Sequence, residues 1–337
     1  MSDLAETAKA LVAPGKGILA ADESEGTIAK RFAAVGVEST EAQRRAYRDL
    51  LFTTPGAGEG ISGVILYDET IRQRSADGTP FAELLERQGI IPGIKVDRGA
   101  KPLALCPGET VTEGLDGLRA RFEEYRALGA RFAKWRAVIS IGPELPTATC
   151  LSVNAHALAR YAALAQEAEL VPIVEPEVLM DGDHTIGRSF DVTSRTQRAV
   201  FEELAEQHVS LEGMLLKPNM VLSGYDCPEQ AGVEEVADAT LRCLRLEVPS
   251  ELPGIVFLSG GQSDVEATGR LNAINATSGP KPWELSFSYG RALQSAAQGA
   301  WRGESANVAA AQAAYLHRVR MNGAARCATW SPELELG

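Results

Sequence analysis

Eight short apolar runs, each entered or left through glycine or proline, restrict the fold of this chain more than any other feature. In order they are G-I-L-A-A-D-E (17–23), G-V-I-L-Y-D-E (63–69), P-G-I-K-V-D (92–97) and R-F-A-K-W-R (131–136). Then come V-P-I-V-E-P-E (171–177), G-M-L-L-K-P-N (213–219), G-I-V-F-L-S-G-G (254–261) and L-S-F-S-Y-G-R (285–291). Runs of this length with such punctuation read as buried strands. Most are spaced about forty residues apart, and helix-like text fills several of the gaps, as in A-H-A-L-A-R-Y-A-A-L-A-Q-E-A. Strands alternating with helices imply a parallel sheet, and eight such units predict a closed (β/α)8 TIM barrel, an α/β fold. All 337 residues fit one such domain.

A doubly wound open sheet is the alternative. It calls for G-x-G-x-x-G after a strand, opening a helix. The one such string, Gly58, Gly60 and Gly63, precedes a strand and reads as a flexible loop. Residues 100–112 and 181–193 are rich in Gly, Pro and polar side chains and read as loops at the barrel mouth. The N-terminal segment reads as a surface helix, and about 322–337 as a C-terminal surface tail.

Charge narrows the function classes. A net charge of −12 argues against nucleic acid and anionic membranes as partners. No run approaches the ~18 apolar residues of a membrane span. The five cysteines are scattered without C-x-x-C spacing and read as free thiols. With no basic leader, the expectation is a soluble, cytoplasmic protein. His156, His184, His208 and His317 are not spaced as metal ligands and read as surface or capping residues. Trp135 and Trp301 read as packing. No metal and no cofactor is called for.

The charges collect at the strand ends. Asp22, Asp68, Lys95 with Asp97, Lys134 with Arg136, Glu175 with Glu177, Lys217, Ser259, Ser288 and Arg291 all fall there. Strand side chains alternate faces, so Lys134 shares a face with Arg136, and Glu175 with Glu177. The C-terminal strand ends of a barrel form its active-site rim. A lysine at a strand-to-loop junction is ordinarily solvated, yet one held in a barrel mouth becomes a candidate amine nucleophile for a carbonyl. Lys134 and Lys217, side by side, are expected to lower each other's affinity for protons. Glu175 and Glu177 supply carboxylates for proton transfer, and Asp22 a second base. The glycines of S-G-G after the seventh strand, with Arg291 after the eighth, suit a phosphate.

Read together, A-A-D-E-S, G-I-K-V-D, F-A-K-W-R, V-P-I-V-E-P-E, L-L-K-P-N-M, L-S-G-G-Q-S and F-S-Y-G-R-A-L-Q resemble the class I fructose-bisphosphate aldolases, from about Ala13 to Trp301. The resemblance implies a metal-independent lyase of glycolysis and gluconeogenesis that acts on sugar phosphates and assembles as a homotetramer. It implies a Schiff-base lysine at Lys217 and an acid/base glutamate at Glu175, with roles for Asp22, Lys134, Arg136, Lys95 and Glu177. Phosphate ligands carry over to Ser259, Gly260, Gly261, Ser288, Gly290, Arg291 and Arg31. One departure stands out. The best-known animal members end in a tyrosine that assists proton exchange, whereas this chain ends P-E-L-E-L-G and its last tyrosine is Tyr315, in a predicted helix. That leaves the step, and the preference for bisphosphate over monophosphate, unassigned. Another Schiff-base barrel enzyme and a catalytically silent phosphosugar-binding protein are the competing readings.

Overall fold

A computed structural model describes residues 2–336. Its eight barrel strands fall on the eight apolar runs. They are β1 (Gly17–Ala20), β2 (Ile61–Leu66), β3 (Ile91–Lys95), β4 (Phe132–Ile139), β5 (Val171–Val178), β6 (Leu215–Leu216), β7 (Gly254–Phe257) and β8 (Glu284–Tyr289). Each pairs in parallel with its sequence neighbours, and β1 pairs with both β2 and β8, which closes the barrel. Helices link the strands on the outside, as right-handed crossover connections require.

The period-2 alternation sorts each strand into two faces. Leu19, Ala133, Trp135, Val174 and Phe257 look outward into the helices. Ile18, Phe132, Ile173, Leu215 and Val256 look inward. Phe132 fills the barrel so fully that a Cβ on Gly93 would stand 2.3 Å from its ring, so only glycine fits on β3 there. The N-terminal helix Ser2–Leu11 is more than a surface element. Its Leu4, Ala8 and Leu11 pack against Phe132, Ile173 and Leu215 and close the N-terminal end of the barrel. Interior side chains are therefore apolar at that end, and the same face is free to turn polar at the other.

Other expectations need correcting. Within residues 100–112, Ala100–Pro102 pairs antiparallel with Thr110–Thr112 to form a hairpin. Of residues 181–193, everything from Ile186 belongs to a helix that runs to Glu206, started by the Thr185 hydroxyl accepting the Arg188 N–H. The polar composition that suggested a loop sits on that helix and on its cap. Gly58 lies in a 3₁₀ turn, not a flexible loop, and a Cβ there would stand 2.4 Å from the Gln88 carbonyl oxygen. The C-terminal boundary also moves. Helix Val308–Arg326 continues past residue 322, and Asn322, Ala325 and Arg326 are buried. Arg326 donates to the Leu285 carbonyl at 3.0 Å and pairs with Glu284 at 3.0 Å, so its burial is polar and left no apolar period to read. His184 is buried as well, its Nε2 without a partner among the described residues, and neither caps a helix nor lies on the surface. Trp135 and Trp301 pack as expected, against Tyr161 and against Phe32 with Tyr47. Tyr315 is buried in helix Val308–Arg326.

Candidate active site

The interior rows explain why charge gathers at one end. Along β4 the inward residues run Phe132, Lys134, Arg136, and along β5 they run Ile173, Glu175, Glu177. Apolar residues fill the N-terminal half, and one step of two residues brings each strand to the mouth. Lys217 follows Leu216 directly, and its N–H still bonds the Val174 carbonyl at 2.8 Å, so β6 delivers it beside Glu175. The Cα register pairs Lys95 with Lys134 and Arg136 with Glu175.

At the centre, Glu175 lies between two amines. Its Oε1 stands 3.2 Å from Lys217 Nζ and its Oε2 3.0 Å from Lys134 Nζ. Lys134 Nζ also stands 2.7 Å from Asp22 Oδ2. All four side chains are nine-tenths buried or nearly so. Burial opposes the charge on Glu175, but Lys134, Lys217 and Arg136 outweigh it and hold the carboxyl below its ordinary pKa. Asp22 is likewise driven well below the usual carboxylate range, against its burial, mainly by Lys134 and then Lys217. Lys134 departs from expectation. Burial pulls the Lys134 pKa down, yet Asp22, Glu175 and Asp97 raise it above that of an ordinary lysine, so Lys134 stays protonated. The carboxylates around Lys134 decide this sign.

Around this centre the cavity, of about 220 Å³, is lined by Asp22, Lys95, Lys134, Arg136, Glu175, Glu177 and Lys217. Its rim carries Arg31, Ser259, Gly260, Ser288, Gly290 and Arg291. Ser288 Oγ is buried on this wall with no hydrogen-bond partner among the described residues, a donor left free for a ligand. Arg291 opens helix Arg291–Trp301 and donates to the Gly260 carbonyl, which ties the β8 end to the loop after β7. Arg136 pairs with Glu177, and Lys95 with Asp97 at 3.1 Å. Thirteen of the fourteen residues expected at the site line this one cavity; the other, Gly261, is the next residue of the loop after Gly260. Among the described residues no group of three or more His, Cys, Asp or Glu side chains is placed to hold a metal ion.

The family described as "Fructose-bisphosphate aldolase class-I" matches residues 3–336. The chain belongs to that family. It is 60% identical over 331 residues, 98% of this chain and 99% of the other, to "Probable fructose-bisphosphate aldolase class 1" of Xanthomonas campestris pv. campestris. It is 56% identical over 326 residues to "Fructose-bisphosphate aldolase 1" of Toxoplasma gondii, covering 96% of this chain and 90% of that one. A solved structure of fructose-bisphosphate aldolase from Plasmodium falciparum, in complex with TRAP and a small-molecule inhibitor, superposes with a TM-score of 0.96 at 49% identity. That match covers 98% of this chain and 95% of the other.

Sequence reasoning passed over three polar residues of this candidate site, of which Glu23 is the most engaged. Glu23, beside Asp22, is buried with both oxygens engaged. Arg48 Nη2 stands 2.6 Å from Oε2, while Arg31 and the Gln294 amide, at 2.9 Å, take Oε1. Burial opposes its charge, but Arg48 and Arg31 hold its pKa below the ordinary value. Glu23 thus joins the β1 end, the rim arginine Arg31 and helix Arg291–Trp301. It was legible only as the fourth letter of A-A-D-E-S. Ser24 and Thr27, hydroxyls 3.1 Å apart on the cavity wall, were passed over as well.

Proposed function

We propose that this chain cleaves fructose 1,6-bisphosphate reversibly to glycerone phosphate and glyceraldehyde 3-phosphate through a Schiff base on Lys217. The observation that carries the reading is the Glu175 carboxylate lying 3.2 Å from Lys217 Nζ and 3.0 Å from Lys134 Nζ in a cavity whose rim carries Arg31, Ser288 and Arg291. Lys217 Nζ adds to the C2 carbonyl, and Glu175 moves the protons that turn the carbinolamine into an iminium with loss of water. Asp22 takes the C4 hydroxyl proton. The C3–C4 bonding electrons flow into the iminium, and glyceraldehyde 3-phosphate departs. The remaining enamine gains a proton at C3, and water returns the ketone and frees Lys217. Lys134 keeps its proton and keeps both carboxylates ionised. The iminium is the electron sink, so the reaction calls for no metal.

One phosphate is held by Arg31, Ser259, Gly260, Gly261, Ser288, Gly290 and Arg291, while Lys95, Arg136 and Glu177 face the rest of the sugar. The chain acts as a single-domain enzyme, assembled as a homotetramer in the cytoplasm. The name of an Arabidopsis thaliana relative, "Fructose-bisphosphate aldolase 5, cytosolic", supports that location. Among the described residues, no helix is long and apolar enough to cross a membrane.

Borohydride treatment in the presence of glycerone phosphate tests the reading. Mass spectrometry is expected to find the reduced adduct on the Lys217 peptide. An adduct on another lysine, or none, overturns the assignment.

A further inference from the structure

The loop after β7 is backed by two side chains that take no part in the cavity. A Cβ on Gly260 would stand 2.7 Å from Met180 Cε, and one on Gly261 would stand 2.8 Å from Tyr225 Oη. Gly260 also holds φ +56°, a left-handed conformation that favours glycine. Met180 and Tyr225 therefore leave no room for a side chain at either glycine. The Tyr225 hydroxyl donates to Met180 Sδ at 3.2 Å, which makes the pair one wall. Neither residue lines the cavity.

That wall is anchored to the catalytic strands. Met180 lies two residues past the end of β5, and Tyr225 lies in the segment that follows Lys217. Tyr225 N–H bonds the Met180 carbonyl at 2.9 Å, Asp226 N–H the Gly182 carbonyl at 2.9 Å, and Gly224 N–H the His184 carbonyl at 2.8 Å. A Cβ on Gly224 would meet the Gly182 carbonyl oxygen at 2.2 Å, so these two segments cannot drift apart or accept a side chain between them. Tyr225 is still 44% exposed. A half-exposed tyrosine in a segment held by three backbone bonds, one of them its own, and set against a glycine loop is placed to shape that loop.

We propose that Tyr225, with Met180 beneath it, is a positioning residue that sets the Ser259–Gly261 loop for the substrate's phosphate. The inference rests on the aldolase reading. Loop N–H groups bind a phosphate only when they converge, and a loop free to relax backwards loses that convergence. The wall touches no reacting atom, so its loss weakens phosphate binding and leaves the chemical step alone.

Isothermal titration with inorganic phosphate, together with steady-state kinetics, separates these effects. Tyr225→Ala is expected to weaken phosphate binding and raise KM for the bisphosphate about tenfold, the worth of roughly one hydrogen bond, with kcat within about twofold. Tyr225→Phe keeps the ring and is expected to stay within about twofold of the parent on both. Met180→Ala, which opens the space behind Gly260, repeats the Tyr225→Ala result and serves if that variant fails to fold. Parent-like phosphate affinity in the folded alanine variants overturns the inference, as does a fall in kcat with KM unchanged. A parent protein that neither binds inorganic phosphate nor is trapped by borohydride with glycerone phosphate overturns the aldolase reading itself, and this inference with it.

Discussion

Lys217 and Glu175 meet at 3.2 Å, Nζ to Oε1, because two neighbouring strands leave the barrel core at the same height. Ile173 pairs with Leu215 and Val174 with Leu216, so the next inward step on each strand sets carboxylate beside amine. A contact made by strand register is held by the whole sheet and not by loop chance. A buried carboxylate within reach of the amine is what carbinolamine chemistry needs, since protons must be taken and returned there.

Glu175→Gln keeps the shape and removes the base. Turnover is expected to fall by about 10²–10⁴-fold, the usual worth of general acid–base help. Schiff-base formation and hydrolysis should slow together, with inorganic phosphate affinity unchanged. Single-turnover kinetics beside a melting curve provide the check. An early-melting variant that turns over at full rate per folded molecule removes Glu175 from the mechanism.

Arg291→Ala removes two things at once, a guanidinium on the rim and its tie to the Gly260 carbonyl. KM for the bisphosphate is expected to rise roughly tenfold or more, as for a charge-assisted hydrogen bond. Steady-state kinetics with unchanged KM place the phosphate elsewhere.

Glu23→Gln tests the buried network. Arg48, with 4% of its side chain exposed, then keeps a neutral partner only. Removing one partner of a buried ion pair costs about 3–5 kcal/mol, and denaturant titration at neutral pH should show a loss of that order. The sign with pH follows from the depressed pKa of Glu23. Its contribution is fully present above the ordinary carboxyl value of 4.5 and is lost as pH falls below it toward the folded value. The gap between parent and variant should therefore narrow on acidification. A gap that widens contradicts the assignment.

Incubation with a chelator is expected to leave aldolase activity intact, because an iminium can take the bonding electrons without a Lewis acid. Activity lost to the chelator and restored by a divalent ion counts decisively against the Schiff-base route.

The barrel was legible because its strands are short, apolar and punctuated, and parallel sheets bury both faces. The charged strand ends were legible for the same reason, since apolar runs make Lys134, Glu175 and Lys217 conspicuous. What sequence could not supply is geometry between segments. Nothing in the sequence places the Asp22 carboxylate against Lys134 beside Glu175, so the expected lowering reverses for that lysine. Arg326 and Asn322 pack polar groups into the fold, which broke the apolar period and made the last helix look shorter than it is. Glu23 was hidden in the same way, as one acid among the many a folded chain keeps on its surface.

Lys134 is the residue whose charge sets the protonation of its neighbours. It stands 2.7 Å from Asp22 and 3.0 Å from Glu175, and it is the largest of the cationic influences that lower both carboxyls against their burial. Lys134→Met removes that cation and leaves the two acids facing each other, and Asp22 itself pushes the Glu175 pKa upward. Both changes favour the protonated acid. Glu175 must be ionised to take a proton, so the acid limb of the kcat profile is expected to move to higher pH. Lys134→Arg keeps the charge and should hold the limb near its parental position. Stability supplies a second readout. In the parent, the depressed Glu175 pKa gives stability above the ordinary carboxyl value that is lost on acidification, and in Lys134→Met that share shrinks. The methionine variant should then lose less melting temperature than the parent as pH falls below the ordinary carboxyl value of 4.5. A profile whose acid limb stays in place while kcat drops throughout would show that Lys134 acts on the substrate and not by holding its neighbours ionised.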